Sequence, residues 1–162
     1  MKVNYHHAGW VIWASFVLAL MLSILPMPEW AGPYRPLWVL VTLIYWIVAV
    51  PERVGIAVGW TVGLFSDVLN DALLGENALA LAVVAWLCVR LERRLRVASL
   101  PKQLLTICTL VVAHQLVILG VRMFTGGTPQ GTVYWLPVLT SAVIWPWVLS
   151  LLRDLRHRFR VH

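Results

Sequence analysis

A chain of 162 residues, 60% hydrophobic and only 12% charged, carries a formal net charge of +6. A soluble domain of this length cannot hide so much apolar surface, because its surface-to-volume ratio demands a polar skin; a lipid-embedded chain can. The positive balance does not point to nucleic acid, since the basic residues sit at junctions between apolar runs, where membrane topology and lipid headgroups account for them.

Six apolar segments follow one another with no linker rich in Ser, Gly or Pro, so they read as one integral-membrane unit over residues 1–162. A hydrocarbon core about 30 Å thick takes about 20 helical residues. The first segment, 10–27, has a weakly charged leading flank, and PMPEWAGP after it offers no small-x-small cleavage site. It therefore reads as a retained span and not as a signal peptide. The second, 37–50, lies between RP and PER, and the fourth, 78–91, between GEN and ERR. At about 14 residues each, these two cover about 21 Å. Arginine snorkelling or local thinning brings them across; re-entrant hairpins are the competing form. Segments 54–74, 104–123 and 133–152 are of full length. The expected fold is all-α: a polytopic membrane protein of six transmembrane helices.

Charge orients it. With six spans, Lys2, Arg53, Arg90, Arg93, Arg94, Arg96, Lys102, Arg153, Arg156, Arg158 and Arg160 share one side, against Arg35 and Arg122 on the other. That bias puts both termini in the cytoplasm. A four-span arrangement moves only Arg53 across, so the count orients the chain better than it numbers the spans. The tryptophans agree: Trp30, Trp38 and Trp135 fall near the outer boundary, and Trp10, Trp13 and Trp147 near the inner one. Cys88 and Cys108 lie inside apolar runs and read as small buried hydrophobes, with no disulfide framework or metal motif.

The third segment, within GIAVGWTVGLFSDVLNDALLGENAL at 55–79, is unusual for oil because it keeps Asp67, Asn70 and Asp71. Gly55, Gly59, Gly63, Asp67 and Asp71 recur every four residues. Each step of four drifts about 40° around a helix, so three successive members share a face. GxxxGxxxG offers a surface that another helix can approach to backbone distance. In the six-span form Asp67 sits about 20 Å along this helix and Asp71 about 26 Å, in the outer third. Asp71 can reach water; Asp67 needs neutralisation, a hydrogen-bonding neighbour or a wet cavity. Arg122 ends the fifth span on the same side, and His114 and Gln115 lie two turns deeper. Pairing of Arg122 with Asp71 or Asp67 is the expected lock between spans three and five. A proton relay through Asp67 and His114 is the sharper alternative, weakened by the lack of a broken-helix pair.

WPW at 145–147 places Pro146 inside the sixth span, where it removes a backbone bond and favours a kink. RLERRLR at 90–96 and RDLRHRFR at 153–160 extend spans four and six as basic stubs, suited to anionic lipid or to a cytoplasmic partner. No nucleophile elbow, HExxH, phosphate-binding loop or paired CxxC occurs, and little sequence lies outside the apolar segments, so no catalytic residue, metal or cofactor is expected.

Four blocks in order, GWVIWASFVLALMLSILPMPEW, RPLWVLVTLIYWIVAVPERVGIAVGW, GLFSDVLNDALLGENALALAVVAW and SAVIWPWVLSLLRDLRHRF, resemble the MreD family of rod shape-determining proteins of Gram-negative bacteria. The most characteristic piece is Gly63 and Asp67 followed by Leu74–Gly75 and Ala78–Leu79. The resemblance implies a non-enzymatic inner-membrane member of the machinery for lateral wall growth. It implies direct binding of MreC, and a complex with MreB filaments, a RodA-type polymerase and its penicillin-binding transpeptidase. It also implies a fold similar to the six-helix substrate-binding components of energy-coupling-factor vitamin transporters. Gly59, Gly63, Asp67 and Gly75 are expected to carry helix packing and partner binding to MreC or a second copy. Asp71, Arg122 and His114 are the expected ion-pair or polar partners, and Arg90, Arg93, Arg94 and Arg96, in a basic 90–102 loop, the cytoplasmic contact. The rival, a small-molecule or vitamin-binding subunit, predicts a closed pocket lined by polar groups from several helices. A lipid-interacting regulator would hold an anionic lipid at the basic stub.

Overall fold

A computed structural model describes residues 9–127 and 131–158. It holds six α-helices: α1 (Gly9–Ile24), α2 (Trp38–Ala49), α3 (Ile56–Leu69), α4 (Glu76–Val97), α5 (Leu100–Phe124) and α6 (Leu136–Arg158). Short 3-10 turns, Gly32–Tyr34 and Thr132–Trp135, precede α2 and α6. Three stretches are long and apolar enough to cross a membrane: Gly32–Ala49, Leu100–Phe124 and Thr132–Arg158. α1 and α3 are shorter apolar helices.

The core is built around α2. Every residue from Val39 to Ile47 is buried, as expected of a helix that is apolar all round. α1, α4 and α6 pack around it, α3 lies on α4, and α5 joins α4 to α6. Trp46 is fully buried on α2, and its indole N–H donates to Ser15 Oγ on α1 at 2.7 Å, so the polar end of a large ring is satisfied inside the bundle. Outward faces are apolar instead: Trp13, Leu18 and Met21 on α1, and Leu139, Val143 and Trp147 on α6, are each at least half exposed. An apolar exterior around a filled core suits a lipid solvent.

Several helix ends differ from the expected segment bounds. The third apolar segment stops being helical at Leu69 instead of running to residue 74. Asn70 Nδ2 donates to the carbonyl of Ser66 at 2.8 Å, and Asp71 takes a left-handed φ of 50°. Short Asx side chains that bond the local backbone end helices in this way. The fourth apolar segment lies within a longer helix: α4 runs 22 residues, from Glu76 to Val97, and carries the basic stub RLERRLR. The basic 90–102 stretch is therefore not a loop, since only Ala98 and Ser99 separate α4 from α5. Arg, Glu and Leu are good helix formers, and nothing breaks the run before Ser99 and Pro101. α6 continues through Pro146.

Arginines divide between the ends of the bundle. The end of α2, the last turn of α4, the first turn of α5 and the end of α6 meet around one cleft, which Arg96, Arg153 and Arg156 line. Arg35 and Arg122 line a cavity at the opposite end. Lys2 and Arg160, counted above on the basic side, lie outside the described residues.

Candidate functional site

Asp67 answers for its own presence. Gly75, the residue before α4, takes a φ of 101°, a left-handed conformation natural to glycine, and supplies no side chain to cap the helix. The first N–H groups of α4 therefore need an acceptor from elsewhere. Asp67, the third residue from the end of α3, provides it. Its Oδ2 accepts from Gly75 N at 2.9 Å and from Ala78 N at 3.3 Å. Its Oδ1 accepts from Asn77 N at 2.9 Å and Asn77 Nδ2 at 3.0 Å. The residue is 0% exposed. A carboxyl group at a helix N-terminus also meets the positive end of the helix dipole. The Asp67 carboxylate thus caps the N-terminus of the following helix from across a turn, and neither lipid nor a second charge has to stabilise it.

The glycine row sets the distance over which this cap works. A Cβ at Gly63 would lie 2.4 Å from Ala78 Cα, 2.7 Å from Ala78 N and 2.8 Å from Asn77 O, all backbone atoms. At Gly59 it would lie 3.0 Å from Leu81 O and 3.1 Å from the Ala85 Cβ. α4 answers with Ala78, Leu81, Ala85 and Cys88, all buried, at spacings that share one face. Gly55 meets nothing within 4 Å, so only the two later glycines of the row act in packing. The close helix contact expected of the row is present, and its partner is α4 of the same chain. Gly59, Gly63 and Asp67 are therefore turned inward and are not available as a surface for another protein.

The expected lock between Arg122 and Asp71 or Asp67 does not form. Arg122 Nε donates instead to Oε1 of Glu76, the first residue of α4. Glu76 is 4% exposed, whereas Asp71 is exposed in the turn. Asp67 already accepts from four N–H groups. The pair thus joins α4 to α5, and Glu76 is the acid that sequence reading passed over. Its signal was its position at the start of a helix, directly after glycine, where an acid is favoured.

His114 and Gln115, both buried, lie beside a cavity of about 230 Å³ between α2, α3, α4 and α5. Gln115 Nε2 donates to Tyr134 O at 3.2 Å, and Tyr134 Oη returns a bond to Gln115 O at 3.0 Å. His114 Nδ1, Trp38 Nε1 and Arg35 Nε are buried there without a hydrogen-bond partner. The other two guanidinium nitrogens of Arg35 donate to the carbonyls of Ser23 and Leu25, closing the end of α1. His114 is not among the groups bonded to Asp67, so no direct acid–histidine relay joins them.

At the basic end, Arg93 and Arg94 are exposed on the last turns of α4, and Arg90 lies over the Trp86 ring, 4.3 Å from its centroid. Arg96 pairs with Glu92 at 3.3 Å along the same helix.

An all-helical bundle with an apolar exterior, three stretches long enough to cross a bilayer and a polar joint spent on its own backbone defines a helical membrane protein. A sequence model of the family described as rod shape-determining protein MreD matches residues 6–155, and the chain belongs to that family. The rod shape-determining protein MreD of Haemophilus influenzae (strain ATCC 51907 / DSM 11121 / KW20 / Rd) is 29% identical over 165 residues, covering 100% of both chains. No solved structure matches the chain. Membership makes rod-shape determination its role.

Proposed function

We propose that the chain is a non-enzymatic scaffold of the bacterial inner membrane, made of six crossings with both ends in the cytoplasm. It binds MreC directly and helps couple MreB filaments to a RodA-type polymerase and its penicillin-binding transpeptidase. The observation that carries this reading is the family match over 6–155. The use of Asp67 as a backbone cap supports it further, because the most suspicious acid is then structural and not reactive. The six-helix order supports a likeness to the substrate-binding components of vitamin transporters. The arginine-rich ends of α4 and α6 point to the cytoplasm.

Since the glycine row is covered by α4, the partner surface lies on the outward faces. α1 and α6 expose the apolar residues that a single-span helix would meet. Photo-crosslinkers at Met21 and Val143, each more than half exposed, test this in membranes that co-express MreC. MreC should co-purify with the full chain and crosslink from one of these faces. Failure of MreC to co-purify with a properly inserted chain would remove the scaffold reading.

One observation favours the second reading, a small-molecule subunit: three buried nitrogens without partners, on Arg35, Trp38 and His114, belong to residues that line the cavity. That reading predicts thermal stabilisation by a polar metabolite, lost in His114→Leu. The scaffold reading predicts stabilisation by MreC.

A further inference from the structure

We propose that the cleft at the basic end of the bundle is a binding site for a phosphate group, supplied by the headgroup of an anionic phospholipid. The cleft has a volume of about 200 Å³ and lies where α2, α4, α5 and α6 end or begin. Arg96, Arg153, Arg156 and His157 line it, and no carboxylate does among the described lining residues. Arg96 and Arg153 bring two guanidinium groups into one concavity, an arrangement that a shared anion favours, and the guanidinium fork matches phosphate oxygens. Glu92 draws on Arg96 from outside, but that side chain is 47% exposed and the pair is a weak one.

Two lining residues, Trp145 and Gln103, each keep one buried polar atom with no partner in the protein. Trp145 is 2% exposed, and its indole N–H has no partner. A buried donor left unmade is costly and rare, so its presence at the wall of a cationic cleft marks a place for an acceptor. Gln103 contributes the opposite function. Its Nε2 donates to Leu95 O at 3.1 Å and to Ala98 O at 3.2 Å, which fixes the amide and leaves Oε1 buried and unpartnered. Donors for phosphate beside one acceptor suit a phosphate whose substituent carries a hydroxyl, as in a glycerol headgroup.

Two features favour lipid over soluble phosphate. Val48, Leu95 and Leu149 form an apolar wall of the cleft. Val97 and Leu100, which flank the short turn between Arg96 and Gln103, are 88% and 55% exposed. Such a rim is stable against acyl chains and poorly placed in water. The proposed orientation enters only in naming the cytoplasmic leaflet as the source of the lipid.

The test uses the full chain, purified in detergent and delipidated, and titrated with phosphatidylglycerol or phosphatidylcholine under native mass spectrometry and thermal unfolding. One phosphatidylglycerol per chain should be retained, at least about tenfold more tightly than phosphatidylcholine, with a rise in Tm. Arg153→Gln should weaken retention about tenfold, and Arg153→Lys less, as loss of a charge-assisted fork requires. Trp145→Phe, which keeps the ring and removes the donor, should weaken it severalfold. Arg93→Gln with Arg94→Gln removes two exposed charges outside the cleft and should leave retention unchanged. Equal loss in that double variant, or no preference between the two lipids in the unmodified chain, would overturn the site. Competition by inorganic pyrophosphate supports the phosphate chemistry. Stabilisation by pyrophosphate with none from phosphatidylglycerol overturns the lipid source. Binding of acidic peptides alone would mark the cleft as a protein dock and also overturn it. MreC recovery with the Arg153→Gln chain, read separately, tests the scaffold reading without bearing on the lipid.

Discussion

Gly63 and Ala78 touch backbone to backbone: a methyl group on the glycine would stand 2.4 Å from the alanine Cα. This contact brings the end of α3 close enough to the start of α4 for Asp67 to cap it. Gly63→Ala should therefore destabilise the chain by about 1–3 kcal/mol, the usual cost of overpacking. Gly59→Ala should cost less, because its nearest contact is 3.0 Å. Thermal unfolding in detergent reads both. A neutral Gly63→Ala would mean that the two helices are not this close.

Asp67→Asn keeps the shape but presents an NH2 group to backbone N–H donors. At least one buried donor is then left unmade, at about 1–3 kcal/mol, and Asp67→Ala should cost more because every acceptor is lost. Hydrogen exchange in the first turn of α4 should rise in both variants. Retention of full protection there in Asp67→Ala would show that the cap contributes nothing.

Gly75 holds a left-handed φ of 101° with open space where a Cβ would stand. Gly75→Ala should cost about 1–2 kcal/mol through conformation alone, and Gly75→Asn less, since asparagine tolerates that region. If Ala and Asn substitutions cost the same, the turn is not held as described.

The Glu76–Arg122 pair calls for a double-mutant cycle with Glu76→Gln and Arg122→Gln. Glu76 is buried while Arg122 is 37% exposed, so the coupling should be about 1 kcal/mol or more, yet short of a fully buried pair. The matching cycle between Asp71 and Arg122 should give a coupling near zero. A larger coupling to Asp71 than to Glu76 would reverse the assignment.

Much of the architecture was legible in the residues. The apolar segments fall where the helices fall, and most of the arginines gather at one end, with Arg35 and Arg122 at the other, because both signals are local and add along the chain. The glycine row announced a close contact for the same reason: absence of a Cβ is a property of the residue itself. The end of α3 at Leu69 was not legible, since Asn70 ends the helix only through a bond to one particular backbone carbonyl, that of Ser66.

Sequence by itself determined that this chain is a helical membrane protein of the MreD family with a tight seam along Gly59 and Gly63. Only the tertiary structure decided what that seam meets and what satisfies the acids. Asp67 bonds mainly to backbone N–H groups, which every residue but proline carries, so no side-chain letter could name its partner. Arg122 had three acids near one end of the bundle, and the depth of Glu76 under α5 chose among them. Which groups are buried together is a property of packing, and packing exists only once the helices are in place.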